Sequence, residues 1–356
     1  MTSAADRDAG KTVAMITSPL EAEFAERIAA AEPERVEVIY RPDLMPPTRY
    51  RGDHNGPADW PGFDARREEW HGLLRRAEVL FDFPTHEEKG VLELSPGLRW
   101  VQTSSAGVGQ LVKRLGLAES ELIVTTSSGV HAEPLAEFVF AALLYHVKWF
   151  AQIRAWQREH RWERFCSGEL TGQTLAIVGP GRIGREVARI GRAFGMTVWA
   201  TAARYEPGRA AALGVDRLFA RDGLWEMLAG ADAVVLCTPH TAETEDLIGA
   251  AEIAAMKPGV VLVNIARGLV IDEEAMVAAL REGRIGFAAL DVFRTEPLPV
   301  DSPLWDLPNV LINPHSASTA TSENGKITEM FVRNLRCYLD GRYEEMSPVL
   351  DKRRLY

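Results

Sequence analysis

The sequence predicts two doubly wound α/β domains, and three observations carry that expectation. The chain has 356 residues and 46% hydrophobic content, more than one ordinary core serves, so it should divide into two. Short β-rich runs alternate with runs of helical spacing, the pattern of parallel strands joined by crossovers. A glycine-rich turn at 179–184 stands between an apolar strand and a helical run, as doubly wound folds require.

In the first third, Thr12–Thr17, Val36–Tyr40, Val79–Phe83, Trp100–Thr103 and Ile123–Thr126 read as strands. Arg41–Gly62 is rich in Pro, Gly and mixed charge and reads as a long surface loop. It is either a solvated excursion or a flap near a cleft or dimer contact. Leu135–Phe150 is the longest apolar run but contains Glu137, His146 and Lys148. As a helix at ~1.5 Å per residue it reaches about 24 Å, short of a bilayer core of about 30 Å, and is expected to be a buried helix. Thr174–Val178 is a buried strand, Ile183–Phe194 a helix stopping near Gly195, and Thr197–Ala200 the next strand. Strands follow at Ala233–Cys237, Val260–Asn264, Phe287–Asp291 and Val310–Asn313. Ile327–Leu339 is an amphipathic helix stopped by Gly341. It is expected to return to the first domain, so the domains are 1–128 with 322–356, and 129–321.

With 50 acidic against 40 basic residues the net charge is −10, and the absence of a basic stripe argues against nucleic acid as a partner. Cys166, Cys237 and Cys337 are scattered without metal-type spacing, so reduced thiols in the cytoplasm and no metal site are expected. Met1–Lys11 is polar and has no apolar h-region, so neither a signal peptide nor a membrane anchor is expected.

Gly179-Pro180-Gly181-Arg182-Ile183-Gly184 follows a strand and opens a helix, the context that gives a G-x-G-x-x-G run its meaning. Gly179 allows the tight turn, Gly181 a close pyrophosphate and Gly184 close helix–strand packing. The amides of Arg182 and Ile183 lie where the helix dipole favours phosphate. The next strand should end in an Asp or Glu if NAD ribose is held. Instead the run is Thr201-Ala202-Ala203-Arg204. Arg204 is either a 2′-phosphate partner or a surface cation, so NADP is favoured and NAD possible.

Three polar residues stand at strand ends on the side where open α/β sheets bind ligands. They are Arg267, Glu296 and His315. Arginine suits a carboxylate, histidine titrates in the range needed to protonate a carbonyl oxygen, and a carboxylate beside it raises its pKa. Taken singly, each has a plainer reading: a capping or surface cation, a solvated loop acid before Pro297, a structural histidine after Pro314. Together they form a complete set for carbonyl reduction.

The ordered motifs Leu98-Arg99-Trp100-Val101-Gln102, Ser105-Ala106-Gly107-Val108, Ala136-Glu137, Gly172 through Gly184, and Thr238-Pro239-His240-Thr241 run through the chain. They continue in Ala266-Arg267-Gly268, Leu290-Asp291-Val292-Phe293, Glu296-Pro297-Leu298-Pro299, Pro303-Leu304-Trp305 and Pro314-His315. On these the chain resembles the D-isomer-specific 2-hydroxy-acid dehydrogenases, with glyoxylate/hydroxypyruvate reductases and phosphoglycerate dehydrogenases among them. The resemblance implies a Rossmann cofactor domain inserted in a discontinuous flavodoxin-like substrate domain. It implies a small 2-oxo or 2-hydroxy acid substrate, a homodimer built partly on the apolar helix, and catalysis by Arg267, Glu296 and His315. Arg267 would bind the substrate carboxylate with the amides near Ala106 and Gly107. Asp291 would meet the nicotinamide amide, with Thr238, Pro239 and Ala266 near the cofactor.

Two positions depart from the family pattern. Ala202 replaces the usual acid, and Asn313 stands where a hydroxyl residue is common before Pro-His. The regulatory extension of some phosphoglycerate dehydrogenases is expected to be absent. Formate dehydrogenases carry Gln where Glu296 stands, which argues against that activity. Phosphite dehydrogenases share the Arg–Glu–His set, and corepressors use the fold as a cofactor-sensing binding module, although typically with a long disordered tail. These remain the alternatives.

Overall fold

In the computed structural model, the described residues are 10–57, 59–61, 64–84 and 90–353; most of the polar start and two positions of the 41–62 loop lie outside them. The chain forms two compact units, 1–131 with 319–356, and 132–318. The changes of unit thus fall after His131 and Ser318, three residues inside the expected insert at each end.

The discontinuous unit holds strands β1 (Thr12–Ile16), β2 (Val36–Tyr40), β3 (Val79–Phe81), β4 (Trp100–Gln102) and β5 (Ile123–Thr125). They form one parallel sheet in the order β2-β1-β3-β4-β5, the flavodoxin-like order. Helices α1 (Ala22–Ala31), α2 (Arg67–Leu74), α3 (Val91–Leu94) and α4 (Gly109–Arg114) connect them. One core, around Trp70, Leu74 and Val112, lies on one face. The other, around Ile28, Trp100, Phe331 and Tyr338, lies opposite, where the Trp100 and Phe331 rings stack 5.0 Å apart.

The 41–62 segment is not a solvated excursion. It opens with a 3-10 turn, Pro42–Leu44, and Leu44 and Met45 enter the core. Asp53 is buried and accepts from Arg49 N, Nε and Nη2 and from the amides of Asn55 and Gly56, at 2.8–3.1 Å. Burial pushes the Asp53 carboxyl up, but these donors outweigh it and hold it well below the usual range. One buried acid thus organises a loop whose composition reads as solvated.

The continuous unit begins with α5 (Ala132–Val147) and α6 (Phe150–Arg158). The apolar run Leu135–Phe150 therefore forms α5 as far as Val147 and ends at a break at Trp149, in the left-handed region at φ 58°, where α6 begins. Leu135, Val139 and Leu143 are buried, whereas α6 buries nothing within its own unit. The expected buried helix is α5, which holds the run from Leu135 to Val147 and is buried as far as Leu143; only the last three residues of the run lie beyond the helix. Strands β6 (Thr174–Val178), β7 (Thr197–Thr201), β8 (Arg217–Phe219), β9 (Ala233–Leu236), β10 (Val260–Asn264), β11 (Ile285–Leu290) and β12 (Val310–Ile312) follow. They alternate with α7 (Arg182–Ala193), α8 (Ala210–Leu213), α9 (Leu224–Gly230), α10 (Ala250–Ala255) and α11 (Glu273–Arg281). The sheet is parallel in the order β12-β11-β10-β9-β6-β7-β8. Its switch point lies between β6 and β9, where such sheets bind dinucleotides. Apolar layers cover both faces.

The last helix, α12 (Glu323–Leu339), belongs to the first unit and ends before Gly341 at φ 72°. Several strands end earlier than the sequence pattern suggests: Asp82, Phe83, Thr103, Thr126, Cys237, Asp291 and Asn313 are all just past their strands. Polar residues at strand ends extend the β-like run without joining the ladder. β8 is missing from the sequence reading: it opens on the exposed Arg217 and offers only two apolar residues, Leu218 and Phe219.

Candidate active site

The glycine motif occupies the switch point. Gly179 lies at φ 96°, and a Cβ there would stand 3.0 Å from the Thr238 backbone just past β9. Thr238 and Pro239 therefore flank the turn. A Cβ on Gly184 would stand 2.5 Å from the Gly179 carbonyl oxygen, whereas one on Gly181 would meet nothing within 4 Å. Two glycines are thus required by packing, and the third opens space at the N-terminus of α7. No side chain caps that terminus, so the helix presents amides and a positive dipole end to that space. The residues present fit a dinucleotide pyrophosphate.

β7 includes Thr201, one residue more than the sequence suggests. The Thr201 hydroxyl donates to the Ala220 carbonyl at 3.3 Å, so it is committed within the sheet. Ala202 and Ala203 bring no charge, and Arg204 is exposed in the following bend.

Arg267 stands just past β10, partly buried. Asn264, at the strand end, accepts from Ala266 N at 3.0 Å and donates to the Arg267 carbonyl at 3.1 Å. It is a support the sequence reading missed. The only available signal was a polar residue closing an otherwise apolar strand. Gly268 comes next because nothing larger fits: a Cβ there would stand 1.9 Å from the Phe293 carbonyl carbon. The arginine turn is thereby pressed against the loop that carries Glu296.

Glu296 uses both oxygens. Oε1 accepts from Phe293 N at 2.9 Å, and Oε2 pairs with His315 Nδ1 at 2.7 Å. The same loop is tied to its surroundings by an Arg294–Asp246 ion pair at 2.5 Å. Hydrogen bonding to Glu296 raises the His315 pKa above its ordinary value, against burial and the Arg267 charge. Burial pushes Glu296 up, but His315, the Phe293 amide and Arg267 bring it below the usual carboxylate range. Burial lowers Arg267, opposed by Glu296 and Asp291. The three charges of the trio therefore act on one another.

His315 lies in the left-handed region at φ 51°. Asp291, buried just past β11, holds its turn. The Asp291 carbonyl accepts from His315 N at 2.9 Å. Its Oδ1 accepts from Asn313 Nδ2 at 2.6 Å, Ser316 N at 2.9 Å and Ala317 N at 3.0 Å. Ala106 and Gly107, in the other unit, sit in the bend after β4, and Gly107 N points to Ser105 Oγ at 3.3 Å.

A nucleotide-binding α/β unit with a paired His–Glu and a partly buried arginine at its strand ends defines a class of dehydrogenase-like proteins. Residues 140–317 match the family model described as D-isomer specific 2-hydroxyacid dehydrogenase, NAD binding domain. The chain belongs to the D-isomer-specific 2-hydroxyacid dehydrogenase family. It is 36% identical over 278 residues to a D-3-phosphoglycerate dehydrogenase of Mycobacterium bovis, a match covering 73% of this chain and 51% of the relative. The chain thus spans about half the length of such relatives. It is 35% identical over 282 residues to glyoxylate/hydroxypyruvate reductase B of Pectobacterium atrosepticum, covering 77% of this chain and 86% of that protein. A solved D-isomer specific 2-hydroxyacid dehydrogenase from Xanthobacter autotrophicus Py2, in complex with NADPH and MES, superposes with a TM-score of 0.76 at 28% identity. That match covers 98% of this chain and all of the other. Among the described residues no helix is long and apolar enough to cross a membrane.

Proposed function

We propose that the chain interconverts a small 2-oxo acid and the D-2-hydroxy acid with a nicotinamide cofactor. The observation that carries the reading is the His315–Glu296 pair at 2.7 Å within charge range of Arg267, on the unit that matches an NAD-binding domain. The cofactor, when bound, supplies hydride in reduction and takes it in oxidation. Arg267 binds the substrate carboxylate and polarises the carbonyl, a role suited to a planar, permanently charged guanidinium. The backbone amides of Ala106 and Gly107 are further donors of the kind a carboxylate takes. His315 gives its Nε2 proton to the substrate oxygen as the carbonyl becomes an alcohol, and removes it in the reverse direction. Glu296 holds Nδ1, fixes the ring and favours the imidazolium. Gly179, Gly181 and Gly184, with the amides of Arg182 and Ile183, receive the pyrophosphate. Thr238, Pro239 and Ala266 flank the cofactor, and Asp291 accepts from its carboxamide.

The preferred cofactor in this reading is NADPH, supported by the exposed Arg204, by the absence of an acid after β7 and by the relative solved with NADPH. A charge-assisted contact of about 1.5–3 kcal/mol corresponds to roughly 10- to 150-fold in affinity. The assembly we propose is a homodimer. Trp149, Phe150, Trp162 and Phe165 are exposed, Trp162 at 95%, and Trp149 stacks on Phe165 at 5.5 Å. An apolar patch of this kind on a soluble unit marks an interaction face.

The test is a panel of 2-oxo acids, glyoxylate and hydroxypyruvate first, assayed with NADPH and NADH and with chiral analysis of the product. D-product formation with a higher kcat/KM for NADPH is expected, as is a shift toward NADH in Ala202→Asp and selective weakening of NADPH in Arg204→Ala. Cofactor binding without turnover of any 2-oxo acid or phosphite would replace the reading with a cofactor-sensing binding module.

A further inference from the structure

Asn313 is the departure from the family pattern to which the sequence attaches no consequence. In the structure it ties β12 to β11 twice. Its main-chain N donates to the Leu290 carbonyl at 2.9 Å. Its side-chain Nδ2 donates to Asp291 Oδ1 at 2.6 Å, the shortest of the three contacts on that oxygen. With Ser316 N and Ala317 N also donating there, Oδ1 is saturated, because a carboxylate oxygen offers about two lone-pair sites. Among the described residues no donor reaches Oδ2. Asp291 is 2% exposed, yet Oδ2 is not sealed in the interior without a partner; it stays open to a donor that a ligand brings.

The same arrangement governs His315. A non-glycine residue in the left-handed region persists only where its surroundings over-determine it. His315 N is shared between the Asp291 and Asn313 carbonyls at 2.9 and 3.0 Å, and the residues on either side hang from Asp291 Oδ1. Asn313 is the one side chain in that set of donors; the others are main-chain amides that any sequence would provide.

We infer that Asn313 is a positioning residue. By supplying the side-chain donor to Oδ1 it fixes the rotation of the Asp291 carboxylate, so that Oδ2 is held as the acceptor for an N–H donor, the carboxamide of the nicotinamide. A hydroxyl at this position carries a single proton on a shorter side chain; the amide reaches further and cannot turn an acceptor-only atom toward Oδ1 without losing the contact. The inference rests on the reading of Asp291 as the carboxamide acceptor.

The experiment is equilibrium binding by calorimetry on the full chain, without turnover. It compares the oxidised nicotinamide dinucleotide, with or without 2′-phosphate, whichever binds more tightly, with its 3-acetylpyridine analogue. The analogue replaces the carboxamide by an acetyl group and has no N–H to give Asp291. The wild type should favour the carboxamide form by roughly tenfold or more, the scale of one hydrogen bond to a charged group. Asn313→Leu, similar in size but without a donor, should bring that ratio to within about threefold of unity. Asn313→Ser should lower it less. Asp291→Asn keeps an oxygen on the three donors and turns an NH2 toward the ligand, so it should abolish the preference. An unchanged ratio in Asp291→Asn would overturn the reading of Asp291 and the inference with it. A collapse in Asp291→Asn with the full ratio retained in both Asn313 variants would overturn the inference alone. If neither Asn313 variant unfolds cooperatively, Asn313 is a residue of the fold and the inference falls; if only the leucine variant fails, the serine ratio decides.

Discussion

The two parallel sheets end in different chemistry. In the 1–131 and 319–356 unit, the strand ends carry hydroxyls that are satisfied close at hand. Thr17 donates to the Phe81 and Asp82 carbonyls, Thr103 to Ser105, Ser127 to Thr103 at 2.7 Å, and Ser104 to the Asp82 carboxylate. In the 132–318 unit, the strand ends carry charge, and each group keeps capacity after its internal contacts are made. His315 has Nε2 beyond its contact with Glu296, Asp291 has Oδ2, and α7 has its uncapped amides. A hydroxyl can close on a neighbouring carbonyl, whereas a buried ion must find several partners. The edge at which we propose the chemistry is therefore marked by leftover hydrogen-bonding capacity more than by polarity.

The largest expected effect tests that contrast directly. His315→Gln should lower kcat for 2-oxo acid reduction by roughly 10²–10⁴, while Arg267→Ala should raise KM as well because it removes binding energy. Steady-state kinetics in both directions separate the two, and wild-type-like rates in His315→Gln would end the mechanism.

A smaller effect compares glycines across the two units. Gly268→Ala forces a Cβ to within 1.9 Å of the Phe293 backbone. It should cost about 1–3 kcal/mol or more and lower activity by shifting the Glu296 loop. Gly116→Ala, at φ 68° with nothing within 4 Å of the added carbon, should cost only the conformational strain, about 1 kcal/mol. Thermal melts and kcat measured side by side check both, and equal losses would contradict the packing argument.

Glu296→Gln should act on pH more than on maximal rate. In the proposed mechanism reduction needs protonated His315, so its rate should be full at low pH and fall as pH rises through the raised His315 pKa; oxidation should behave in the opposite sense. An amide no longer favours imidazolium, so both limbs should move to lower pH. Superimposable profiles, with a solvent or substrate isotope effect showing that chemistry limits the rate, would break the pairing. Smallest of all, Ser127→Ala should cost about 1 kcal/mol of stability and leave kcat within twofold; a large kcat loss would show that the hydroxyl-lined edge is not as closed as its contacts imply.

The sequence made the charged edge legible because its residues sit in short, ordered motifs. Gly179 to Gly184, Arg267 and Glu296 stand where strand and turn patterns alone place them, and His315 pairs with Glu296 as the chemistry demands. Supporting residues were less visible. Asn264 acts through hydrogen bonds to the turn just after it and Asn313 through one to Asp291, brought near by folding, and a polar residue at a strand end does not by itself announce either contact. The 41–62 segment misled for the same reason: its composition reads as solvent-exposed, yet one buried carboxylate, Asp53, gathers five hydrogen bonds around itself. The break at Trp149 was hidden because apolar residues continue across it without a Gly or Pro to mark the stop.

The exposed aromatic face on and after α6 has an optical consequence. Of nine tryptophans, Trp70 and Trp100 are shielded in a core, whereas Trp162 stands 95% in solvent and Trp149 about half so. A hydrated indole emits at longer wavelength than a buried one, so Trp225 and Trp305, at 56% and 52% exposure, share the red side of the emission band with these two. Covering Trp149 and Trp162 would move that band to the blue with no label attached. A dilution series followed by native fluorescence thus reads the occupancy of this face from nanomolar concentration upward, in the unmodified chain.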